Sequence, residues 1–295
     1  MRSARARYVI VVTTMVAWLV LPAPAALASI RAEIKSGPRL EIVGDDAADT
    51  VDVTCVGTFV KVNGADPTDG AFECSRITLI VVETHAGTDQ VTLEHVDPEG
   101  AFTRLDRTEI AGGAGDDTLI GSPTYDRVKG QAGSDTVMGL ARYDEIYIEP
   151  ADVSVDGGGG FDLVDIPAEG RWIVDDTSFE RLGPDSLVIP IAGVELLYIR
   201  GDGGRDRFDA SGFPGEVAML GRRGDDALLG GAAYANLDGG RGDDHLIGTD
   251  RKDILRGRAG DDVLRGLGGR DYLNGGDGVD DCDGGPDPDR FFGCE

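Results

Sequence analysis

Residues 112–120 read GGAGDDTLI and open a nine-residue period that keeps its phase for six consecutive units, to residue 165. A second run keeps the same phase for eight units, from residue 221 to residue 292. Across these fourteen units position 1 is Gly in 13, position 6 is Asp in 12, and position 8 is apolar in all if Cys282 is counted. A flexible Gly-rich linker carries no aliphatic residue at a fixed period, so the chain must stack its units as a repeat architecture. Gly at positions 1, 2 and 4 lets a tight turn reach positive φ and crowds backbone carbonyls together, while position 8 points inward. No long helical stripe follows the first 28 residues.

These units resemble the RTX calcium-binding nonapeptide family, whose pattern is GGxGxDxUx with U a large apolar residue. GGAGDDTLI, GGGGFDLVD, GGRGDDHLI and GGDGVDDCD match it fully if Cys282 is allowed at U. The resemblance implies that two nonapeptides make one 18-residue coil, each with a six-residue turn and a three-residue strand. The expected fold is all-β: a right-handed parallel β-roll or β-helix, with irregular β-strand segments outside the repeats.

Parallel coils stack about 4.8 Å apart, so an Asp at position 6 lies over the Asp 18 residues later. The resulting columns are Asp117 and Asp135; Asp126, Asp144 and Asp162; Asp226, Asp244, Asp262 and Asp280; and Asp253, Asp271 and Asp289. Val153 ends the first column and Ala235 stands where the last would begin, so cation binding is expected to be weak or absent there. Two carboxylates about 5 Å apart repel by roughly 3 kcal/mol at an effective dielectric near 20, so the columns oppose folding unless a cation sits between rungs. Ca²⁺ suits such a site because it takes six to eight oxygens in flexible geometry, whereas Mg²⁺ demands a near-octahedral shell and Zn²⁺ favours His or Cys. The expected metal set is these aspartates with the turn glycines Gly112, Gly115, Gly239, Gly242, Gly257 and Gly260. The repeat blocks are expected to fold on binding calcium.

Residues 1–28 read as a signal peptide: Arg2, Arg5 and Arg7 precede an apolar run from Tyr8 to Leu21, and Ala26-Leu27-Ala28 forms a small-residue cleavage pattern. The apolar run is short for a membrane span, so cleavage after Ala28, no membrane span thereafter and an extracellular location are expected. Acids outnumber bases 54 to 28, which argues against nucleic acid as a partner. In an oxidising compartment the four cysteines favour disulfides, with three possible connectivities. The pairs nearest in sequence, Cys55 with Cys74 and Cys282 with Cys294, are the expected ones, the second pinning the chain end over the last coil.

The organisation expected is an N-terminal irregular β segment over 29–110, a first repeat block over 111–165, an intermediate β segment over 166–220, and a second block over 221–295 with a disulfide cap. Residues 44–52, 79–91 and 196–208 read as fainter copies of the unit, with Asp89 and Asp206 in register, so the irregular segments are expected to coil in the same sense. His85, His95 and His245 show no metalloprotease spacing, and no nucleophile elbow, Walker loop or EF-hand loop occurs. The reading is a secreted calcium-binding protein and not an enzyme. The alternative is an exported enzyme or surface adhesin that uses the calcium-loaded roll as a scaffold.

Overall fold

The computed structural model describes residues 29–183 and 186–295; the expected leader, 1–28, lies outside the described residues. The described chain winds between two sheets, one of 13 strands and one of 14. Among the described residues the one helical element is a 3₁₀ turn, Cys74–Arg76. Within each repeat block the strand pairings are parallel, with partners 18 residues apart, as at Leu119↔Val137 and Leu255↔Leu273. The architecture is thus the parallel all-β roll that the period implies.

The position-8 ladder forms the interior. Leu119, Val128, Val137, Ile146, Val155 and Val164 in the first block are buried, as are Leu228, Leu237, Leu246, Leu255, Leu264 and Leu273 in the second. The two remaining members, Cys282 and Phe291, belong to the open C-terminal end, and Phe291 is 48% exposed. The turns are unequal: strands of the 14-stranded sheet such as Thr118–Ile120 have three residues, but Arg107–Ala114 and Tyr125–Ala132 in the other sheet have eight. The longer strands run on through positions 1 to 3 of the following unit, because the ladder pairing continues there, as at Gly113↔Gln131.

The segments outside the blocks join the same two sheets and share one apolar cluster from Ala32 to Leu273. Leu79–Glu83 pairs in parallel with both Arg39–Val43 and Arg107–Ala114. Antiparallel hairpins close the N-terminal end, Arg31–Lys35 with Arg39–Val43 and Thr50–Val56 with Phe59–Val62. Such hairpins cover the sheet edges that a solenoid would otherwise expose. Between the blocks the 14-stranded sheet changes hand-over-hand winding for a meander. Arg171–Val174, Ser178–Arg181 and Leu187–Ala192 pair antiparallel to one another, then rejoin parallel neighbours at Phe208 and Val155. Bulk explains the change: Trp172 and Phe179, both buried, stack with ring centroids 4.3 Å apart, filling space that position-8 aliphatic residues would leave open.

Both expected disulfides are present, Cys55–Cys74 and Cys282–Cys294. The first ties a terminal hairpin to the 3₁₀ turn, and the second draws residue 294 back onto the last coil. Replacing Cys282 and Cys294 with Ala is expected to cost about 3 kcal/mol for a loop this short. A lowered urea midpoint of the calcium-saturated protein, with unchanged circular dichroism before the transition, would show it.

Candidate metal centre

Each position-6 aspartate ends a turn and faces along the solenoid axis, so its carboxylate meets the neighbouring rung. On one edge the backbone N–H of Asp117 donates to Asp135 Oδ1 at 2.9 Å. On the other, Asp126 donates to Asp144 and Asp144 to Asp162, both at 2.8 Å. In the second block Asp226 donates to Asp244 and Asp244 to Asp262 at 2.8 Å, and Asp262 to Asp280 at 2.9 Å. Its opposite edge repeats this from Asp253 to Asp271 and from Asp271 to Asp289, at 2.8 Å. All four expected columns are assembled.

The columns are also longer than the period alone indicates. Asp49 donates to Asp89 at 2.7 Å and Asp89 to Asp117 at 2.8 Å, so the faint copies at 44–52 and 79–91 extend the first column toward the N-terminus. Asp206 likewise precedes Asp226, at 2.7 Å. The first column does not stop at Val153, which is 52% exposed. Asp152, one residue earlier, takes the position and accepts the Asp135 N–H at 3.2 Å, because the unit at 148–156 lacks the leading Gly and its turn is displaced by one residue. Glu195 Oε2 caps the Asp162 column at 2.8 Å. Ala235 does start the last column, giving its N–H to Asp253 Oδ1.

In ten of these carboxylates one oxygen is thereby engaged and the other is stranded. Oδ2 of Asp89, Asp117, Asp135, Asp144, Asp162, Asp226, Asp244, Asp262, Asp271 and Asp280 is buried with no hydrogen-bond partner. The ten are one and the same atom of the turn aspartates, acceptor-only when ionised, so the four columns share a buried acceptor row that a cation could satisfy. Asp126 and Asp253 differ: Ser122 and Thr249 donate their N–H groups to Oδ2 at 2.7 and 2.6 Å, and their hydroxyls add further bonds. These two carboxylates are satisfied by the chain itself.

The glycines complete the cradle in two distinct ways. Position 1 is glycine for space and not for positive φ: a Cβ at Gly112, Gly239 or Gly257 would lie 2.1 to 2.3 Å from Oδ2 of its own unit's aspartate. At Gly221 the same Cβ would also meet the Gly239 carbonyl oxygen at 2.6 Å, so a carboxylate oxygen and a carbonyl oxygen converge on the glycine's open side. Position 4 does require positive φ, with 129° at Gly115, 121° at Gly242 and 138° at Gly260. Changing Gly242 to Ala would place Cβ 1.9 Å from the Gly224 carbonyl oxygen. That variant is expected to lose at least about 2 kcal/mol in a calcium-saturated urea titration.

Burial dominates the titration of these groups. It pushes Asp117, Asp162, Asp226, Asp262 and Asp271 up to about 6, and Asp126, Asp152 and Asp244 up to about 7. Asp144 reaches about 9, with Asp126 and Asp162 adding like-charge repulsion to its burial. Among the described residues no three acidic, His or Cys side chains converge on one point. A cation in a gap would therefore take few carboxylates and complete its shell from turn carbonyls, a hard, all-oxygen donor set that fits Ca²⁺.

Residues 111–144, 238–272 and 257–291 match the family model of the RTX calcium-binding nonapeptide repeat, in four copies. No curated protein matches the chain. The period, the parallel roll and the family match coincide over residues 111–144 and 238–291, which are RTX calcium-binding nonapeptide repeats.

Proposed function

We propose that the chain is a secreted calcium-binding protein that takes up several Ca²⁺ ions along its aspartate columns, and that its repeat blocks fold as they bind. The row of buried, unpartnered Oδ2 atoms carries this reading. Each ion would neutralise carboxylates on adjacent rungs and accept turn carbonyls such as that of Gly239, so binding free energy becomes folding free energy. The ligands are the position-6 aspartates with stranded oxygens, supported by Gly112, Gly115, Gly239, Gly242, Gly257 and Gly260. The leader pattern at 1–28 and the two disulfides support export to an oxidising compartment.

Replacing Asp226, Asp244 and Asp262 together with Asn keeps the shape of one column and removes its charge. The variant is expected to bind fewer calcium ions per chain than the parent in equilibrium dialysis, with the first block's share retained. Equal uptake by the two proteins would overturn the assignment.

A scaffold role for the roll is the second reading, and one feature favours it. A groove of about 390 Å³ between the blocks brings Glu169, Arg171, Asp202 and Arg205 together beside the meander. Calcium would then hold that groove in shape, and removing Arg171 and Arg205 side chains would abolish a secreted activity without changing calcium stoichiometry.

A further inference from the structure

We propose that the edge of the second block around Tyr272 is a binding groove for an acidic polysaccharide. The groove has a volume of about 640 Å³, and Lys252, Arg256, Arg270 and Arg290 line it around Ile254 and Tyr272. Lys252 and Arg270 hold position 5 of units one coil apart; Ile254, Tyr272 and Arg290 hold position 7 of three successive coils and are paired in register. The cations therefore recur with the rungs, about 4.8 Å apart. Among the described residues Lys252, Arg270 and Arg290 form no salt bridge, although the chain carries 54 acids against 28 bases. The acidic lining residue, Asp271, is buried and turned into its own column.

The contrast with the opposite edge makes the groove specific. There position 5 is occupied by exposed Asp225, Asp243 and Asp261 on consecutive rungs. One roll thus presents an acidic edge and a basic one, and Ile254 and Tyr272 form the floor of the basic edge. The Tyr272 ring lies 5.2 Å from that of Phe292, which steadies it as a platform. A pyranose ring offers a C–H face to such a platform and an acidic group at its rim, and one sugar unit advances along a glycan by close to one rung. A nucleic-acid duplex carries a charge about every 1.7 Å, far denser than these cations, and the acidic chain repels it. The ligand chemistry is an anionic group repeated once per sugar, supplied either by uronate carboxylates or by sulfate esters. The proposal is independent of which gaps hold calcium.

The test is calorimetric titration of the full calcium-loaded chain with short oligogalacturonates and with heparin oligosaccharides, at low and at physiological salt. Binding that weakens with salt is expected, and the Lys252→Ser, Arg270→Ser double variant should lose about tenfold or more in affinity. The Arg76→Ser, Arg104→Ser double variant, two exposed changes in the N-terminal segment, removes the same net charge and should bind like the parent. Binding of galacturonate alone or of heparin alone supports the proposal and identifies the acidic group. Four results would overturn it: neither saccharide binds at low salt; the Lys252→Ser, Arg270→Ser variant binds as tightly as the parent; inorganic polyphosphate binds where the saccharides do not; or light scattering without saccharide shows self-association that the Lys252→Ser, Arg270→Ser variant loses, giving the groove to a second copy.

Discussion

Chelating calcium from the folded chain is expected to erase most of the β-sheet circular dichroism contributed by the two repeat blocks. Without a cation each pair of adjacent ladder carboxylates, once ionised, costs roughly 3 kcal/mol at an effective dielectric near 20. The turns add to this: Gln131, Leu140, Arg222, Arg258 and Leu267 occupy position 2 at positive φ without being glycine. Each such residue costs on the order of 1 kcal/mol or more. Because a coil touches only its neighbours, losing one rung uncovers the next, and the loss should propagate through a block. The N-terminal end has other supports, namely two hairpins, the Cys55–Cys74 bond and a core that includes Ile42, Ile77, Ile80 and Phe102. Hydrogen exchange after chelation should therefore show residues 221–292 exposed and residues 31–83 still protected. Uniform protection in the chelated protein would contradict this.

Acid should partly replace calcium. Ladder aspartates have folded values raised to about 6 at Asp226 and Asp262, about 7 at Asp244 and about 9 at Asp144, above an unfolded value near 4. A carboxyl raised in this way binds its proton more tightly in the fold, so its contribution to metal-free stability is complete below about pH 4 and is lost as pH climbs through 6 to 9. Metal-free protein at pH 5 should accordingly regain β structure that is absent at pH 8. Calcium competes with those protons, so binding near pH 6 to 7 should release them, and the apparent binding enthalpy should change with the ionisation enthalpy of the buffer. A metal-free protein that gains structure with rising pH would have the wrong sign for buried, unpaired carboxylates.

The parts of this molecule that obey a period are the parts its sequence makes legible. Stacking at 18 residues places Asp117 against Asp135 and Asp244 against Asp262, and the position-8 aliphatics read as the interior, as the structure has them. The displaced rung at Asp152 was not, because the unit at 148–156 has lost its leading glycine and a one-residue slip leaves no trace in composition. The meander escaped for a related reason: short antiparallel strands around Trp172 and Phe179 carry no repeat, and only the volume of the two rings shows why the winding must widen there. The satisfaction of Asp126 and Asp253 by Ser122 and Thr249 looks like degeneracy at position 2 until the hydrogen bonds are seen. The basic groove was hidden because its cations sit at positions 5, 7 and 9 of different units and become neighbours only once the coils stack.

Crystals of residues 29–295 grown in calcium, measured for anomalous scattering at long wavelength, would locate any ions in the aspartate columns. Calcium peaks are expected in the gaps of the aspartate columns, about 2.3–2.6 Å from Oδ2 atoms such as those of Asp226, Asp244 and Asp262, with turn carbonyls completing each shell. Weak or missing peaks are expected beside Asp126 and Asp253, whose oxygens are already engaged. A well-ordered roll with its Oδ2 atoms buried and no anomalous density along any column at millimolar calcium would contradict calcium uptake by the columns.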